Sequence, residues 1–505
     1  MVFRTLVQRD AIPLHNGDNM FSPTPPIQPI RPARPYHLID EAQVNQLAAG
    51  TLEILNETGI HCPSEKCLRI YADHGARVDF DSKIVRLSPD LVAASLSTAP
   101  RFYRMGARSP VHDLKLDEMT TFCATDGCGV ETIDFETRQR RGSRKQDVAD
   151  MARVADALTS IGFYWPIVSA ADHPATAPLH ELDASFNNTV KHVQSETVMG
   201  EELGRYAVEM ARVIAKDETT MRTRPPLSLL VCCIAPLGQD KEGMESALLF
   251  AEAGLPVGFM SMANVGSTGP ATLAGTVVAG DAEIVSALVL IQMAFPGAPV
   301  FHSFMPGVMH PRTGGYLATA HEGTLLYPIG VEMAHHWGVP TLAGIFATDG
   351  MVPGWQAAGD AATSFMLCAL AGAETGSGLG LLESCSLLYP ESIILDSDIY
   401  HRVRIETAGL DVSREAQALD VIKEVGPRGL FLKHRHTRDH LRDRIFSELT
   451  GPAQMSGKMR DPVEEARLKV ESILRGHHPE PLEEIQQKEL TRILAAADRE
   501  MGGVS

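Results

Sequence analysis

From residue 227 onward the sequence repeats one unit. A short apolar run is followed by a loop rich in Gly, Pro or Asn, and then by a longer stretch with helical spacing. The apolar runs are 229–235, 256–262, 299–305 and 340–347, and the helical stretches are 243–253, 271–294, 322–337 and 356–371. Gly254-Leu255-Pro256, Gly297-Ala298-Pro299 and Gly338-Val339-Pro340 each mark a helix stop followed by a strand start. Strands that are apolar along their length and alternate with helices belong to a parallel sheet covered on both faces. Weaker strand candidates lie upstream at 122–127, 163–169 and 190–194, with a further one at 374–380. Together these make eight, which predicts a (β/α)8 TIM barrel over an open doubly wound sheet.

The flanks differ in character. Residues 1–35 hold Pro23, Pro25, Pro26, Pro29, Pro32 and Pro35 and read as an extended Pro-rich tail. Residues 36–115 read as a small helical or α/β front domain, with Asp40 a candidate N-cap and a hairpin around Asp81-Ser82-Lys83. The barrel is assigned to 116–405. Residues 406–505, rich in charge, read as a helical extension wrapped on the outside.

Lys plus Arg number 45 and Asp plus Glu 63, a formal net charge of −18. Such a surface repels phosphate backbones and anionic lipid heads, which argues against nucleic-acid and membrane roles. No apolar run is read as reaching the roughly 18 residues that span a bilayer, and the N-terminus lacks the apolar stretch of a secretory signal. Eight cysteines without a CxxC pair give neither a disulfide scaffold nor a zinc ribbon. The reading is a cytoplasmic protein; whether it forms a homo-oligomer is left open.

Longer motifs carry a resemblance. They are Ser267-Thr268-Gly269-Pro270-Ala271-Thr272-Leu273-Ala274-Gly275, Asp281-Ala282-Glu283-Ile284, Pro296-Gly297-Ala298-Pro299-Val300, Arg312-Thr313-Gly314 with Glu322, the stretch from Thr348 to Ala358, Glu391-Ser392-Ile393-Ile394-Leu395-Asp396 and Val421-Ile422-Lys423-Glu424-Val425-Gly426-Pro427. In order, over residues 38 to the end, the chain resembles the trimethylamine methyltransferase family of corrinoid-dependent methyltransferases. Where that family commonly shows Asp-Ser-Lys-x-Pro-Asp-x-Gln, this chain has Asp349-Gly350-Met351-Val352-Pro353-Gly354-Trp355-Gln356, and Asp360 stands where Glu is usual. The trimethylamine-using branch is associated with pyrrolysine. None occurs here, so the chain is more similar to the non-pyrrolysine, betaine-type branch.

The resemblance implies transfer of methyl from a quaternary or tertiary methylamine, such as a betaine, to the Co(I) of a cobalamin-type corrinoid carried by a partner protein, with no metal bound directly. Cations without N–H are held by aromatic faces and carboxylates, and barrel sites sit at the C-terminal ends of strands. On that basis Asp349 and Glu322 are the catalytic candidates. Trp165, His302, Arg312, Tyr316, Phe346, Trp355 and Gln356 are the substrate-binding candidates. Asn264, Ser267 and Thr268 line the loop expected to face the corrinoid.

Each has an ordinary alternative. Asp349 is equally a turn residue, Glu322 a helix-dipole carboxylate, Arg312 a surface ion-pair partner, and 264–269 a plain strand-to-helix turn. Strand aromatics and His302 are commonly core. Two other functions stay open: a barrel lyase or aldolase using Lys191 as a Schiff-base amine, and a betaine-binding relative without turnover.

Overall fold

The computed structural model describes residues 21–117, 119–127, 129–441, 447, 449–450 and 460–502. Eight parallel strands form the centre: β1 (Phe122–Thr125), β2 (Ile161–Tyr164), β3 (His192–Ser195), β4 (Leu227–Cys232), β5 (Val257–Ser261), β6 (Val300–Phe304), β7 (Leu342–Gly344) and β8 (Thr375–Leu379). Sequential strands pair in register, β8 returns to β1, and a parallel bridge between His302 and Thr341 joins β6 to β7, so the sheet closes into a (β/α)8 barrel. Phe122, Ala124, Phe163, Trp165, Leu230, Met260, Phe301 and Leu342 fill the interior. An antiparallel pair, Arg104–Met105 with Leu114–Lys115, plugs the N-terminal end with Met105 and Leu114.

Outside runs a ring of helices, including α1 (Glu41–Glu57) from the front segment, α2 (Lys145–Ala157), α3 (Ala177–Asn188), α4 (Glu201–Ala215), α5 (Lys241–Glu252), α6 (Leu273–Ala294), α7 (Leu326–His336), α8 (Trp355–Ala371) and α9 (Ser392–Thr407). Asp40 caps α1 in a capping box with Gln43. The expected hairpin is present, pairing Arg77 with Arg86. The described tail residues are extended and lie against the barrel: Ile30 bridges Thr121 and is fully buried. Toward the C-terminus, α10 (Pro462–Gly476) packs on α9 and α2, and α11 (Glu484–Gly502) on α4 and α3.

One expectation is corrected. Helix α6, 22 residues long, is apolar enough by length and composition to cross a membrane. In the fold it is mostly buried, wedged between the barrel and α1, and it carries two buried carboxylates. Asp281 accepts hydrogen bonds from Thr51 Oγ1 at 2.7 Å and Trp337 Nε1 at 3.0 Å and pairs with His302 Nε2 at 3.0 Å. Glu283 accepts from the Leu237 N–H at 2.7 Å and the Ser261 hydroxyl at 2.6 Å.

Asp281 therefore locks α1, α6, β6 and the turn after α7 together. Asp281→Ala strands the buried Thr51 hydroxyl and His302 ring and the half-buried Trp337 N–H, an expected loss on the order of 3–5 kcal/mol. Thermal unfolding should move down by several degrees; an unchanged midpoint would contradict the assignment.

Candidate functional site

Side chains alternate along each strand, so the inward phase can be carried two residues past the strand end. Phe122 and Ala124 point inward, and Asp126 continues them. Phe163 is followed by Trp165, His192 and Gln194 by Glu196, and Ser228 and Leu230 by Cys232. These residues meet at the C-terminal mouth. Cys232 Sγ lies 2.9 Å from Glu196 Oε1. The Trp165 ring rests on Gly127, where an added Cβ would come within 2.0 Å of the indole.

Two small sheets build the rim. Asn264–Val265, Gly307–Met309 and Tyr316–Leu317 form one. It presents Tyr316, whose ring lies on Gly307, another position where a Cβ would collide. Glu131–Ile133, Arg140–Gly142, Leu381–Leu382 and Leu387–Leu388 form the other, and the turn between its last two strands carries Cys385. Glu383, Ser384 and Cys385 are all left-handed, with φ of 51°, 53° and 70°, a sparsely populated conformation that the surroundings must hold.

Asp126 is the electrostatic centre of this mouth. Its Oδ1 accepts from the Gly127 N–H at 3.0 Å. Its Oδ2 is buried without a hydrogen-bond partner, the Cys385 thiol lying beside the carboxyl group without the geometry of a hydrogen bond. Among the described residues no Lys or Arg pairs with it. Burial pushes its pKa up to about 6, the Cys385 thiol and the Gly127 N–H pull it back in part, and Glu196 adds to the rise. Burial also raises the Tyr316 hydroxyl, with Cys385, Asp349 and Asp126 adding to it, and raises the Cys385 thiol. A buried carboxyl with an open acceptor, beside two aromatic rings and a second carboxylate, can hold a small organic cation.

The anticipated residues divide. Trp165 and Tyr316 are in the mouth. Asp349 is at its edge, with both carboxylate oxygens occupied by protein donors. Asn264, Ser267 and Thr268 form a self-bonded turn on the rim: the Asn264 carbonyl accepts from the Ser267 and Gly269 N–H groups, and its N–H reaches Thr268 Oγ1. The buried Asn264 Oδ1 has no partner.

The other placements are corrections. His302 faces outward to Asp281, opposite in phase to the inward Phe301. Phe346 also turns outward and packs on Phe365 at 4.6 Å. Arg312 is exposed at the tip of the 310–315 loop, and Glu322 is exposed before α7. Trp355, 96 % exposed, and Gln356 open α8 in solvent. Lys191 is buried at the floor, donating to the Ala155 and Leu158 carbonyls at 2.8 and 2.7 Å, so its amine is not presented as a Schiff-base nucleophile. The adjacent Cys232 and Cys233 face opposite ways, one into the mouth and one into the outer core.

Sequence reasoning missed Asp126, Glu196 and Cys385. The first two were reachable by extending the inward phase beyond the strand ends. Cys385 carries no such signal. Among the described residues no cluster of three or more His, Cys, Asp or Glu has the grouping a metal ion needs.

Fold and mouth together define a (β/α)8 barrel protein with acidic and aromatic residues gathered at the C-terminal ends of its strands. Residues 15–502 match the trimethylamine methyltransferase (MTTB) family, and the chain belongs to it. The trimethylamine methyltransferase of Desulfitobacterium hafniense (strain DSM 10664 / DCB-2) is 30 % identical over 470 residues, 92 % of this chain and 94 % of that protein. The glycine betaine methyltransferase of Desulfitobacterium hafniense (strain Y51) is 26 % identical over 474 residues, 92 % and 98 %. The crystal structure of the Methanosarcina barkeri monomethylamine methyltransferase superposes with a TM-score of 0.55 at 12 % identity, covering 93 % of this chain and 88 % of that one, a likeness of fold.

The buried carboxyl sets a pH signature. The folded chain holds the Asp126 proton up to about pH 6, whereas the unfolded chain releases it near its ordinary 3.8. Between those values the native state binds more protons, so wild-type stability falls as pH rises through the window and the contribution is constant above it. Asp126→Asn has no such proton. Its stability relative to wild type should grow by up to about 3 kcal/mol between pH about 4 and about 7, read from urea midpoints; a constant gap would contradict the burial of this carboxyl.

Proposed function

We propose that this protein transfers a methyl group from a quaternary or tertiary methylamine, betaine-like donors included, to a corrinoid carried by a partner protein. The observation that carries the reading is the buried, unpaired Asp126 oxygen beside Trp165 and Tyr316 in the barrel mouth. Membership of the family supports it, as do the names of the two Desulfitobacterium relatives.

A methyl on a cationic nitrogen is already activated. When the C–N bond breaks, its electron pair stays on nitrogen, and the leaving group is a neutral amine. A quaternary donor therefore needs no proton from the protein. What the chain has to provide is a hold on the cation, a fixed orientation with one methyl facing out of the barrel, and exclusion of water. In this reading Asp126 and Glu196 face the positive nitrogen, and the faces of Trp165 and Tyr316 take the remaining methyls. The rim fits a corrinoid on one observation: the unpartnered Asn264 Oδ1 is an acceptor for an N–H of the amide side chains that fringe such a ring, and the Ser267–Thr268 turn borders it. When bound, the corrinoid supplies the reduced cobalt that accepts the methyl group.

The test is methyl transfer to free cob(I)alamin from trimethylamine, tetramethylammonium, dimethylglycine and glycine betaine, followed by the loss of Co(I) absorbance. At least one donor should react. A partly desolvated charge contact is worth on the order of 1–3 kcal/mol, so Asp126→Asn should cut the rate about tenfold to a hundredfold. Trp165→Leu should weaken donor binding about fivefold or more. Transfer from none of the four, or unimpaired transfer by Asp126→Asn, would overturn the reading.

A further inference from the structure

Asp349 stands in the segment that follows β7, at the edge of the mouth, but its acceptor positions are taken by the protein's own donors. Its Oδ1 accepts from the Ala318 N–H at 2.9 Å and from the Ser384 hydroxyl. Its Oδ2 accepts from the Thr319 N–H at 3.0 Å and the Thr319 hydroxyl at 2.9 Å. A carboxylate offers about four such positions. Ala318 and Thr319 directly follow the Tyr316–Leu317 strand, so the contacts to them fix the strand that carries the Tyr316 ring. Ser384 precedes Cys385 in the left-handed turn, so the Ser384 contact fixes the thiol beside Asp126. Asp360, on α8, braces the same knot: it accepts from Thr348 Oγ1 at 2.7 Å and shares the single Thr319 hydroxyl proton with Asp349, lying 3.0 Å from that oxygen.

We propose that Asp349 is a positioning residue: it ties the Tyr316 strand and the Cys385 turn to the segment that follows β7 and so sets the width of the mouth around Asp126. This rests on the reading of the mouth as the donor site. Asp349 meets the protein's own donors rather than the substrate. In Asp349→Asn one oxygen becomes an NH2 group facing donors, which releases at least one of the two loops.

The measurements need no methyl transfer, so their failure is separate from failure of the proposed reaction. Tetramethylammonium binding is measured by calorimetry, and alkylation of Cys385 by iodoacetamide is followed by peptide mass spectrometry. Asp349→Asn should weaken the probe about tenfold and speed Cys385 labelling severalfold. Ser384→Ala, which leaves the Asp349 charge in place, should reproduce both changes in smaller degree and carries the test if Asp349→Asn does not fold. The double variant should bind no worse than Asp349→Asn alone, within about twofold, because both changes cut the same tie. Thr319→Ser, which keeps the hydroxyl, should bind the probe like wild type, and Thr319→Ala should not. The proposal is overturned if Ser384→Ala leaves binding and labelling unchanged, if Asp349→Asn weakens binding without exposing Cys385, or if the two losses multiply.

Discussion

Closing eight parallel strands into a barrel leaves backbone N–H groups at both ends of the sheet, inside loops that no ladder can satisfy. This chain meets that constraint with carboxylates from the helix ring and loops. Glu374 takes the Thr341 N–H, Glu283 the Leu237 N–H, Asp396 the Gly380 N–H and Asp349 those of Ala318 and Thr319. At the floor Asp156 takes the Val190 N–H together with the hydroxyls of Thr24 and Thr189, and meets His477. That one group gathers the N-terminal tail, β3 and the C-terminal segment. Part of the acidic excess of the composition is thus structural, turned inward as hydrogen-bond acceptors.

Against that background Asp126 is different in kind. It too sits at a strand end, yet one oxygen meets no donor, and burial raises its pKa to about 6. An unsatisfied acceptor in the interior costs stability, and such costs concentrate where a ligand completes the arrangement. The left-handed turn at Glu383–Cys385 is a further local cost around the same point, and Gly127 and Gly307, lacking a Cβ, leave room for the Trp165 and Tyr316 rings. The Asp126 acceptor is left without a donor, while Asp349 at the edge of the same mouth is hydrogen-bonded through both oxygens.

The barrel was legible because the apolar runs and the Gly-Leu-Pro type breaks between them report period and boundary directly. Every expected strand overlaps an observed one. The site was less legible, for a reason of parity. A run such as Phe301-His302 states that neighbours face opposite ways but not which faces the axis, and His302 proved to be the outward one. Phe346 breaks the alternation altogether: its φ of 59° takes it out of strand geometry and turns the ring to the outer core. The departures from the family motif at Gly350, Met351 and Gly354 fall on the loop leading to α8, where Met351, Val352 and Trp355 are exposed. They therefore say little about what the mouth binds. Asp349 was found by sequence, but its partners Thr319 and Ser384 lie 30 and 35 residues away, a juxtaposition that only the closed barrel supplies.

The central claim is that the barrel mouth, with Asp126 at its base, is where the organic cation sits. Soaking crystals with tetramethylarsonium, an isostere of tetramethylammonium with an anomalous scatterer at its centre, locates the cation without reference to turnover. The account predicts a single arsenic peak inside the mouth, within contact distance of the Asp126 carboxyl and the Trp165 and Tyr316 rings. A peak in the cavity between α8 and α9, lined by Phe346 and Asp396, with the mouth vacant, would contradict it.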